Sequence, residues 1–503
     1  MKRVVGRSLL LGLVWLGGCA HVDPKPDYAR VAQVVEQRTS VADIYDPADE
    51  ALVADRVSGL LRPTLTIENA VRIALLNNPG FQAGFATLGA SRADVVQSTL
   101  LTNPSLTFGF EFPDGGGRSK IIASWAQQVA DLWQIPVRKK IAEAELERTL
   151  LATARRGIDL VAETKTRCYR LLALQQSEKV LREARALAEQ SLHVAQAQLE
   201  AGEVSQFDLS LVRAALVDVD LELLTLERDR RAAEIDLARS LGLTRMPPTW
   251  TLSDDLPGTQ STLADDADLI AAALDQRLDA RAALLAVGAA ENELIRQHLR
   301  IFPDLTLGAD FERPDQRTLP GRKIIADTIR SSLAAGKLTA PAIQSRGERR
   351  IETSQIVNSL LGPSLSVTLP LWDQNQAQIA KARYMVVQRR KELEELLDTV
   401  AAEVLQAASA ARNAQSLVQV YEQQALPQAQ ENVAGALRLY ETGEQSMLVV
   451  LDSQESLLRR RRSYIDARRD YAVARATLEQ ALAGRLAALP AGAPDSSAPE
   501  EPH

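Results

Sequence analysis

Residues 443–478 read GEQSMLVVLDSQESLLRRRRSYIDARRDYAVARATL, a stretch without proline whose only glycine is its first residue. Apolar or aromatic residues recur in it at every seventh position. One series comprises Val450, Leu457, Tyr464, Tyr471 and Leu478, and a second comprises Leu451, Leu458, Ile465 and Ala472. A double stripe of this period favours coiled-coil packing, because ordinary core helices drift toward a period of 3.6. The stretch therefore predicts a long helix that begins directly after a glycine turn.

The same plan occurs earlier in the chain. A shift of 241 positions places Gly202-Glu203-Val204-Ser205 on Gly443-Glu444-Gln445-Ser446. The first copy continues with an interrupted heptad series, Leu209, Leu216, Leu223, Arg230 and Leu237. Segments with few helix breakers flank both glycines, namely 137–201, 203–241, 374–442 and 444–483. The sequence thus predicts two long antiparallel helical hairpins and an internal duplication.

Upstream of each hairpin the apolar period changes to two, which is typical of strands. The apolar positions are Leu106, Phe108, Phe110 and Phe112 in the first copy and Leu305, Leu307, Ala309 and Phe311 in the second. Partner strands are expected at Leu365, Val367, Leu369 and Leu371, and less clearly within Ile121–Trp133. Four strands are too few to close a barrel around a channel, so several chains must contribute to one membrane barrel.

The N-terminus has the form of a removable signal peptide over residues 1–18. Its apolar run, residues 9–16, is far shorter than the ~20 residues of a spanning helix. The run ends in Leu16-Gly17-Gly18-Cys19, which resembles a bacterial lipobox, although a coincidental cysteine is the alternative. The resemblance implies a lipid on Cys19 and, with Ala20 next to it, sorting to the outer membrane. Beyond residue 19 no apolar stretch has the length of a spanning helix, so any membrane crossing must use β-strands.

Composition restricts the function. The chain has 503 residues, 46% hydrophobic but only 4% aromatic, and a net charge of −7, which becomes −10 without the leader's Lys2, Arg3 and Arg7. This charge argues against a nucleic-acid binder. Two cysteines and four histidines cannot build a disulfide framework or a Cys/His zinc site. No phosphate loop or catalytic triad motif is present. We predict a protein that is not an enzyme and has no cofactor besides the lipid on Cys19.

These patterns divide the chain into six parts. They are a signal peptide (1–18), a lipidated N-terminal segment (19–63), a first strand-helix repeat (64–242), a linker (243–266), a second repeat (267–484) with an inserted loop (312–362), and a disordered tail (485–503). The loop is expected at the mouth of the barrel. On the first helix Cys168 lies on an apolar stripe and is expected to be a buried small hydrophobe.

Over residues 60–484 this arrangement resembles the TolC-type outer membrane efflux channels. Two motifs carry the resemblance in detail. One is Leu65-Thr66-Ile67-Glu68-Asn69-Ala70 followed by Asn77-Asn78-Pro79, and the other is Tyr440, Gly443, Ser446, Leu448, Val450, Leu451, Asp452, Ser453 and Gln454. The resemblance implies a homotrimer with a twelve-stranded outer membrane β-barrel continued by a periplasmic α-barrel. It also implies a passive exit duct of a tripartite efflux system, with a periplasmic adaptor and an inner-membrane pump as partners.

The resemblance also assigns roles to individual residues. The turns Gly202 to Ser205 and Gly443 to Ser446 would contact the adaptor. Asp452, nine residues after the second glycine, would form an acidic ring at the pore gate, and Asp208 would take part in a latch. Gln445 and Val449 stand where some members have a latching Arg and a second pore Asp. The simpler interpretation of Asp208 and Asp452 is that of acids favoured by the dipole at a helix start.

Two other functions remain open on the sequence alone. A periplasmic adaptor lipoprotein also uses long helical hairpins, but it requires one hairpin flanked by compact β-domains and no duplicated membrane strands. A purely structural coiled coil of the envelope is disfavoured by the same strands. The cargo is not specified, because no methionine or histidine cluster marks a path for metal ions.

Overall fold

A computed structural model describes residues 20–112, 117–202, 204–245, 250–259, 263–301, 304–314, 316–317, 333–336 and 359–484. The elements in chain order are α1 (Lys25–Thr39), a 3₁₀ turn (Pro47–Asp49), α2 (Glu50–Leu60), β1 (Thr64–Leu65), α3 (Ile67–Asn77), α4 (Pro79–Ser98), β2 (Ser105–Glu111), β3 (Gly117–Arg118), β4 (Lys120–Gln128), α5 (Asp131–Glu200), α6 (Gln206–Ser240), β5 (Thr251–Leu252), α7 (Asp266–Gln276), α8 (Leu278–Leu299), β6 (Leu305–Arg313), β7 (Gln316–Arg317), β8 (Leu360–Val367), α9 (Gln376–Val420), a π-helical turn (Tyr421–Ala425), α10 (Leu426–Glu441) and α11 (Met447–Ala481). Cys19, the signal peptide and the tail 485–503 lie outside the described residues.

The chain forms two compact units. A helical unit comprises residues 1–93, 144–288 and 388–503, and a sheet unit comprises residues 94–143 and 289–387. None of the described helices is both long enough and apolar enough to cross a membrane.

Helix α1, near the start of the described residues of the helical unit, was not predicted from the sequence. Helix α1 buries Val31 and Val35 completely and also buries the carboxylate of Asp27. Arg92 of α4 donates two hydrogen bonds of 2.6 Å to that carboxylate. A buried carboxylate is tolerated when a guanidinium pairs with both of its oxygens. The N-terminal segment is thus held on α4 by a buried ion pair and by aromatic contact, with the rings of Tyr28 and Phe85 5.5 Å apart.

Helices α5 and α6 form the first hairpin, as predicted. Their turn lies at Gly202, and the heptad residues Leu209 and Leu237 are buried. Arg230, which interrupts the series, is compatible with the packing because its guanidinium pairs with Glu178 of α5 at 3.3 Å and with Glu234 at 3.1 Å. Cys168 is completely buried, as expected, and burial raises the pKa of its thiol. A thiol held in its neutral form is a poor nucleophile.

Helices α9, α10 and α11 form the second hairpin. A π-helical turn at 421–425 interrupts the segment 374–442 and is followed directly by α10, which has Pro427 in its first turn. This turn accommodates a proline that cannot donate a backbone hydrogen bond. The predicted seam faces inward on α11, where Val450, Tyr471 and Leu478 are buried. Leu478 packs in a core cluster with Val400 and Val404 of α9.

The sheet unit contains the four predicted strands. Strands β2, β4, β6 and β8 form an antiparallel sheet in that order, with Phe108 opposite Ala123 and Ala309 opposite both Trp125 and Pro363. The alternate side chains of β2 and the residue after it are exposed: Leu106 by 65%, Phe108 by 67%, Phe110 by 61% and Phe112 by 82%. One face of this strand is therefore apolar and uncovered in the protomer.

Two predicted boundaries were wrong. The last strand was expected to continue through Leu369 and Leu371, but β8 ends at Val367, because the chain turns and the Leu371 N–H donates to the carbonyl of Leu369. The first long helix was expected after Pro136, but it begins at Asp131 and contains Trp133, which was assigned to a strand. Proline in an early turn of a long helix removes one backbone hydrogen bond and does not end the helix.

The linker and the inserted loop contain strands of their own. In the linker, β5 pairs in parallel with β1, and Trp250 next to it is buried. At the ends of the loop 312–362, Glu312 and Arg313 belong to β6, and 360–362 belong to β8. Strand β7 within it pairs with β3. Most of the remaining loop lies outside the described residues.

Candidate functional site at the hairpin turns

The first turn depends on a glycine in a left-handed conformation. Gly202 has φ +76° and its N–H donates to the carbonyl of Leu199 at 3.0 Å. No atom lies within 4 Å of the position that a Cβ would take. Glycine is therefore required by the backbone conformation and not by lack of space, since L-residues take positive φ only at a cost. Residue 203 lies outside the described residues.

A capping box starts α6 after this turn. The Ser205 hydroxyl accepts a hydrogen bond from the Asp208 N–H at 3.2 Å, and the Asp208 carboxylate accepts one from the Ser205 N–H at 3.0 Å. The Ser205 hydroxyl and then its N–H, both donating to the carboxylate, lower the pKa of Asp208. Asp208 thus serves its own helix start in the protomer, which matches the simpler interpretation of this residue.

The second turn has the same backbone with different side chains. Gly443 also has φ +76°, its N–H donates to the Tyr440 carbonyl at 3.0 Å, and the Glu444 N–H donates to the Leu439 carbonyl at 2.9 Å. This pair of bonds is the Schellman motif that closes helix ends. Ser446 is the N-cap of α11 but its side chain makes no capping bond, and Val449 occupies the third helical position. The second helix start therefore lacks the carboxylate of the first.

The two turns lie close to each other in the helical unit. Ala195, Leu209 and Val212 of the first hairpin form an apolar cluster against which Met447 and Leu451 of α11 pack. The predicted gate residue Gln445 lies in the second turn, where its backbone N–H donates to Leu439 at 3.1 Å. The Tyr440 hydroxyl donates to Gln198 of α5 at 3.4 Å. The packing joins the turn ends of the two hairpins into one surface.

A groove of about 640 Å³ runs beside this cluster between α5, α6 and α11. Leucines and alanines supply most of its lining. The acidic lining residues are Asp218 and Glu222 of α6 and Asp452 and Glu455 of α11. Asp452 is exposed and lies beyond the first turn of α11, so the helix-start interpretation fits it less well than Asp208.

Basic residues of α11 form ion pairs across the two hairpins. Arg462 pairs with Glu222 of α6, and Arg461 lies 4.0 Å from Glu183 of α5. All four side chains are between one third and three fifths exposed, so each pair stabilises the contact only weakly. Sequence reasoning missed Asp218 and Glu222 as members of the acidic set. Their i,i+4 spacing places them on one face of α6, but the sequence does not show which helix that face meets.

No predicted site residue belongs to a metal site in the part of the chain that the structure describes. In those ranges no group of three or more His, Cys, Asp or Glu side chains is arranged to hold a metal ion. The turns, the acidic groove and the exposed strand faces are therefore the surfaces from which function can be argued.

The fold and these turns define a class of proteins that pair two long helical hairpins with a four-stranded sheet. The sequence matches a family described as outer membrane efflux protein over residues 70–243 and 269–484. The chain belongs to this outer membrane efflux protein family, and it is an efflux channel component of the outer membrane that extends into the periplasm. The match covers both hairpins, so the alternative of an adaptor protein with one hairpin finds no support. No curated protein is similar enough in sequence to count as a relative.

Solved structures are similar in fold at low sequence identity. The outer-membrane channel OprN has a TM-score of 0.65 at 18% identity, covering 89% of this chain and 96% of its own. The outer membrane protein VceC of Vibrio cholerae has a TM-score of 0.63 at 16% identity, with coverages of 84% and 96%. The open state of the MtrE outer membrane channel of Neisseria gonorrhoeae has a TM-score of 0.63 at 14% identity, with coverages of 84% and 89%.

Proposed function

We propose that three copies of this protein assemble into a passive exit duct for cargo that an inner-membrane pump and a periplasmic adaptor deliver. The exposed apolar face of the four-stranded sheet carries this proposal. The strand order leaves β2 and β8 as edges, and both present large exposed apolar side chains, such as Phe108 at 67% and Leu361 at 78%. In lipid, unpaired edges leave backbone groups without hydrogen-bond partners. Joining the edges of three copies gives a closed barrel of twelve strands.

An internal duplication accounts for the repeated order of elements. Two short helices, two strands of the sheet and a long hairpin occur once from α3 to α6 and again from α7 to α11. The helix ends on either side of the two turns are also 241 residues apart. Helix α5 ends at Glu200 and α10 at Glu441, and α6 starts at Gln206 and α11 at Met447. This agreement supports a common origin of the two halves.

The two turns are the proposed contact with the adaptor. They carry the exposed serines Ser205 and Ser446 beside glycines that no neighbouring atom covers. Gly443→Val should abolish efflux while leaving membrane insertion intact, because a β-branched residue resists positive φ. Gly59→Val is the matched control, since Gly59 also has open space around it but lies away from the turns. Normal efflux in a variant with both turn glycines changed would show that the adaptor docks elsewhere.

We further propose that Asp452 forms an acidic ring at the pore gate of the trimer, with Asp208 and Gln445 at the helix contacts beside it. Three carboxylates around one axis attract cations. In planar bilayers the channel should favour cations and be blocked by multivalent cations from the periplasmic side, and Asp452→Asn should weaken both effects. Asp208→Ala should instead loosen the start of α6 and raise the basal conductance. Unchanged selectivity and block in Asp452→Asn would place this side chain away from the pore.

The assembly is tested by native mass spectrometry in mild detergent, where a homotrimer should be the dominant species. A dominant monomer or dimer would overturn the proposal. The lipid on Cys19 is proposed to add an anchor to the barrel. The Cys19→Ser variant should therefore still require detergent for extraction, whereas release by salt alone would mean that the sheet does not enter the membrane.

A further inference from the structure

We propose that a pocket at the end of the four-stranded sheet binds the head group of a phospholipid that carries both a phosphate and a primary ammonium, as phosphatidylethanolamine does. The pocket has a volume of about 400 Å³ and lies wholly within the sheet unit. The start of α5, the end of α8 and residues 368–373 after β8 supply its lining. The inference rests on the proposed function, because it requires the sheet to span a membrane.

The register of the sheet gives it one apolar and one polar face. Side chains of residues directly opposite each other in antiparallel strands lie on the same face. One row across the four strands is apolar throughout and comprises Phe108, Ala123, Phe311 and Leu361. The next row, on the other face, has no large apolar side chain and comprises Thr107, Ser124, Asp310 and Gly362. This alternation suits a sheet with lipid on one side and water on the other.

The pocket lies at the end of the sheet where the helices join it. Leu305 at the start of β6 pairs with Val367 at the end of β8, and both belong to the apolar face. The lining residues Asp304 and Thr368 are the neighbours of this pair in the chain, just beyond the sheet. In the proposed assembly the helices lie in the periplasm. The pocket would therefore lie at the depth of the lipid head groups of the periplasmic leaflet.

Apolar side chains of the lining are largely uncovered in the protomer. Leu369 is exposed by 69%, Leu371 by 66% and Trp372 by 88%. Large apolar side chains that lie together on a surface mark a contact with another molecule or with a membrane. Tryptophan is common at the boundary between lipid and water, because its ring is apolar and its N–H is a hydrogen-bond donor. The leucines offer a surface for the first part of the acyl chains, and Trp372 fits the head-group layer.

The charges of the lining complement a zwitterion. Among the described residues, the guanidinium of Arg300 pairs with neither of the lining acids Asp304 and Asp373 and has no other side-chain partner. Asp304 accepts a hydrogen bond from Gln128 at 3.0 Å, and Asp373 accepts one from the Asn375 N–H at 2.9 Å. A carboxylate can accept further bonds beyond these. A guanidinium suits a phosphate, and the two carboxylates suit an ammonium.

The segment after β8 is fixed to α8, so the pocket is formed before a ligand binds. Asn375 has φ +61°, and its side-chain amide donates to the Gln297 carbonyl at 2.7 Å and to the Gln297 side-chain oxygen at 2.8 Å. Gln297 is buried on α8, three residues before Arg300. These bonds hold the two lining segments together, and a pre-formed site loses less entropy when it binds.

Native mass spectrometry of the purified full-length protein in neutral detergent tests the choice of lipid. Dioctanoyl phosphatidylethanolamine, phosphatidylcholine and phosphatidylglycerol are titrated separately. The ethanolamine lipid should bind at one molecule per chain. The other two should bind about tenfold more weakly, because choline has no N–H donor and glycerol no positive charge. Equal binding of the three lipids, or binding of none, would overturn the proposal. So would equally tight binding of soluble glycerophosphoethanolamine, since the acyl chains would then contribute nothing.

Variants locate the binding site. Arg300→Gln should weaken binding of the ethanolamine lipid about tenfold, the effect of one lost charge-assisted hydrogen bond. Arg383→Gln is its control, because Arg383 is an exposed arginine of α9 outside the lining. The double change Asp304→Asn and Asp373→Asn should remove the preference for ethanolamine over glycerol. Asp310→Asn, at an exposed acid on the polar face of β6, should leave that preference intact. Equal effects in the variants and their controls would refute the site.

Extraction of the Cys19→Ser variant keeps the proposed function distinct from this inference. Release of that variant without detergent would refute the membrane-spanning sheet, and the lipid site would fall with it. A variant that still requires detergent, together with head-group binding that does not depend on Arg300, would refute the lipid site alone.

Discussion

Gly443→Ala and Gly435→Ala should change the stability of the second hairpin in opposite directions. Neither glycine has an atom within 4 Å of its Cβ position, so neither substitution creates a clash. Gly443 has φ +76°, whereas Gly435 lies inside α10. Alanine at the positive φ costs about 1 kcal/mol. Alanine inside a helix gains about 1 kcal/mol over glycine. The difference between the variants should therefore be about 2 kcal/mol, or roughly thirtyfold in the local opening equilibrium.

Amide hydrogen exchange is the appropriate assay, because a hairpin end opens locally without unfolding the whole protein. The amides of Gly443 and Glu444, which donate to Tyr440 and Leu439, report on closure of the turn. Their protection should fall about fivefold in Gly443→Ala and should be retained or rise in Gly435→Ala. Gly443→Asn should lie between Gly443→Ala and the native chain, since asparagine tolerates the left-handed region best among non-glycine residues.

Equal protection in the two alanine variants would refute the reasoning. It would mean that the turn relaxes to a negative φ at no cost and that glycine at 443 serves another purpose. A fall in amide protection over the entire helical unit would also contradict the prediction, because the substitution would then destabilise the whole unit and not only the turn.

Other predictions concern the helix start, the core and the N-terminal segment. Hydrogen bonds from Ser205 lower the pKa of Asp208 below its usual 3.8. The capping box therefore contributes its full stability above pH 3.8 and loses it as the pH falls through the lowered pKa. Amide protection at the start of α6 should drop in acid, whereas that at the start of α11, with Val449 at the equivalent position, should not. Leu478→Ala, at a completely buried position, should lower the stability of the helical unit by about 3 kcal/mol in thermal unfolding, and Val217→Ala, at a position 55% exposed, should have little effect. Arg92→Met leaves the buried Asp27 carboxylate without its partner and should destabilise the helical unit by about 3 kcal/mol, measured by the urea midpoint, whereas Arg92→Lys should restore part of that loss.

Local patterns gave the main elements of the fold and the position of both turns. The apolar period of two located β2 and β6, and the seven-residue period located the inward face of α11. Glycine is needed where φ is positive, so Gly202 and Gly443 mark the turns in the sequence itself. These features depend on residues close together in the chain. For the same reason the sequence placed Cys168 on a buried stripe.

Other features depend on residues far apart in the chain. Helix α1 was missed because it is rich in polar residues and because its packing includes long-range contacts such as the Asp27–Arg92 pair, 65 residues apart. The continuation of α5 through Pro136 was missed because propensity alone treats a proline as a break, and the π-helical form of the turn before Pro427 was not predicted because no local pattern marks it.

The sequence by itself determined the hairpins, their turns and the alternation of the sheet strands, because each is encoded by periodicity or by one backbone requirement. The tertiary structure alone decided which helix faces meet. Asp218 and Asp452 are 234 positions apart, and nothing local indicates that they line one groove with Leu187 and Leu448. Packing brings α6 against α11 through the cluster of Leu209, Val212 and Leu451, and this long-range contact sets the acidic surface beside the turns.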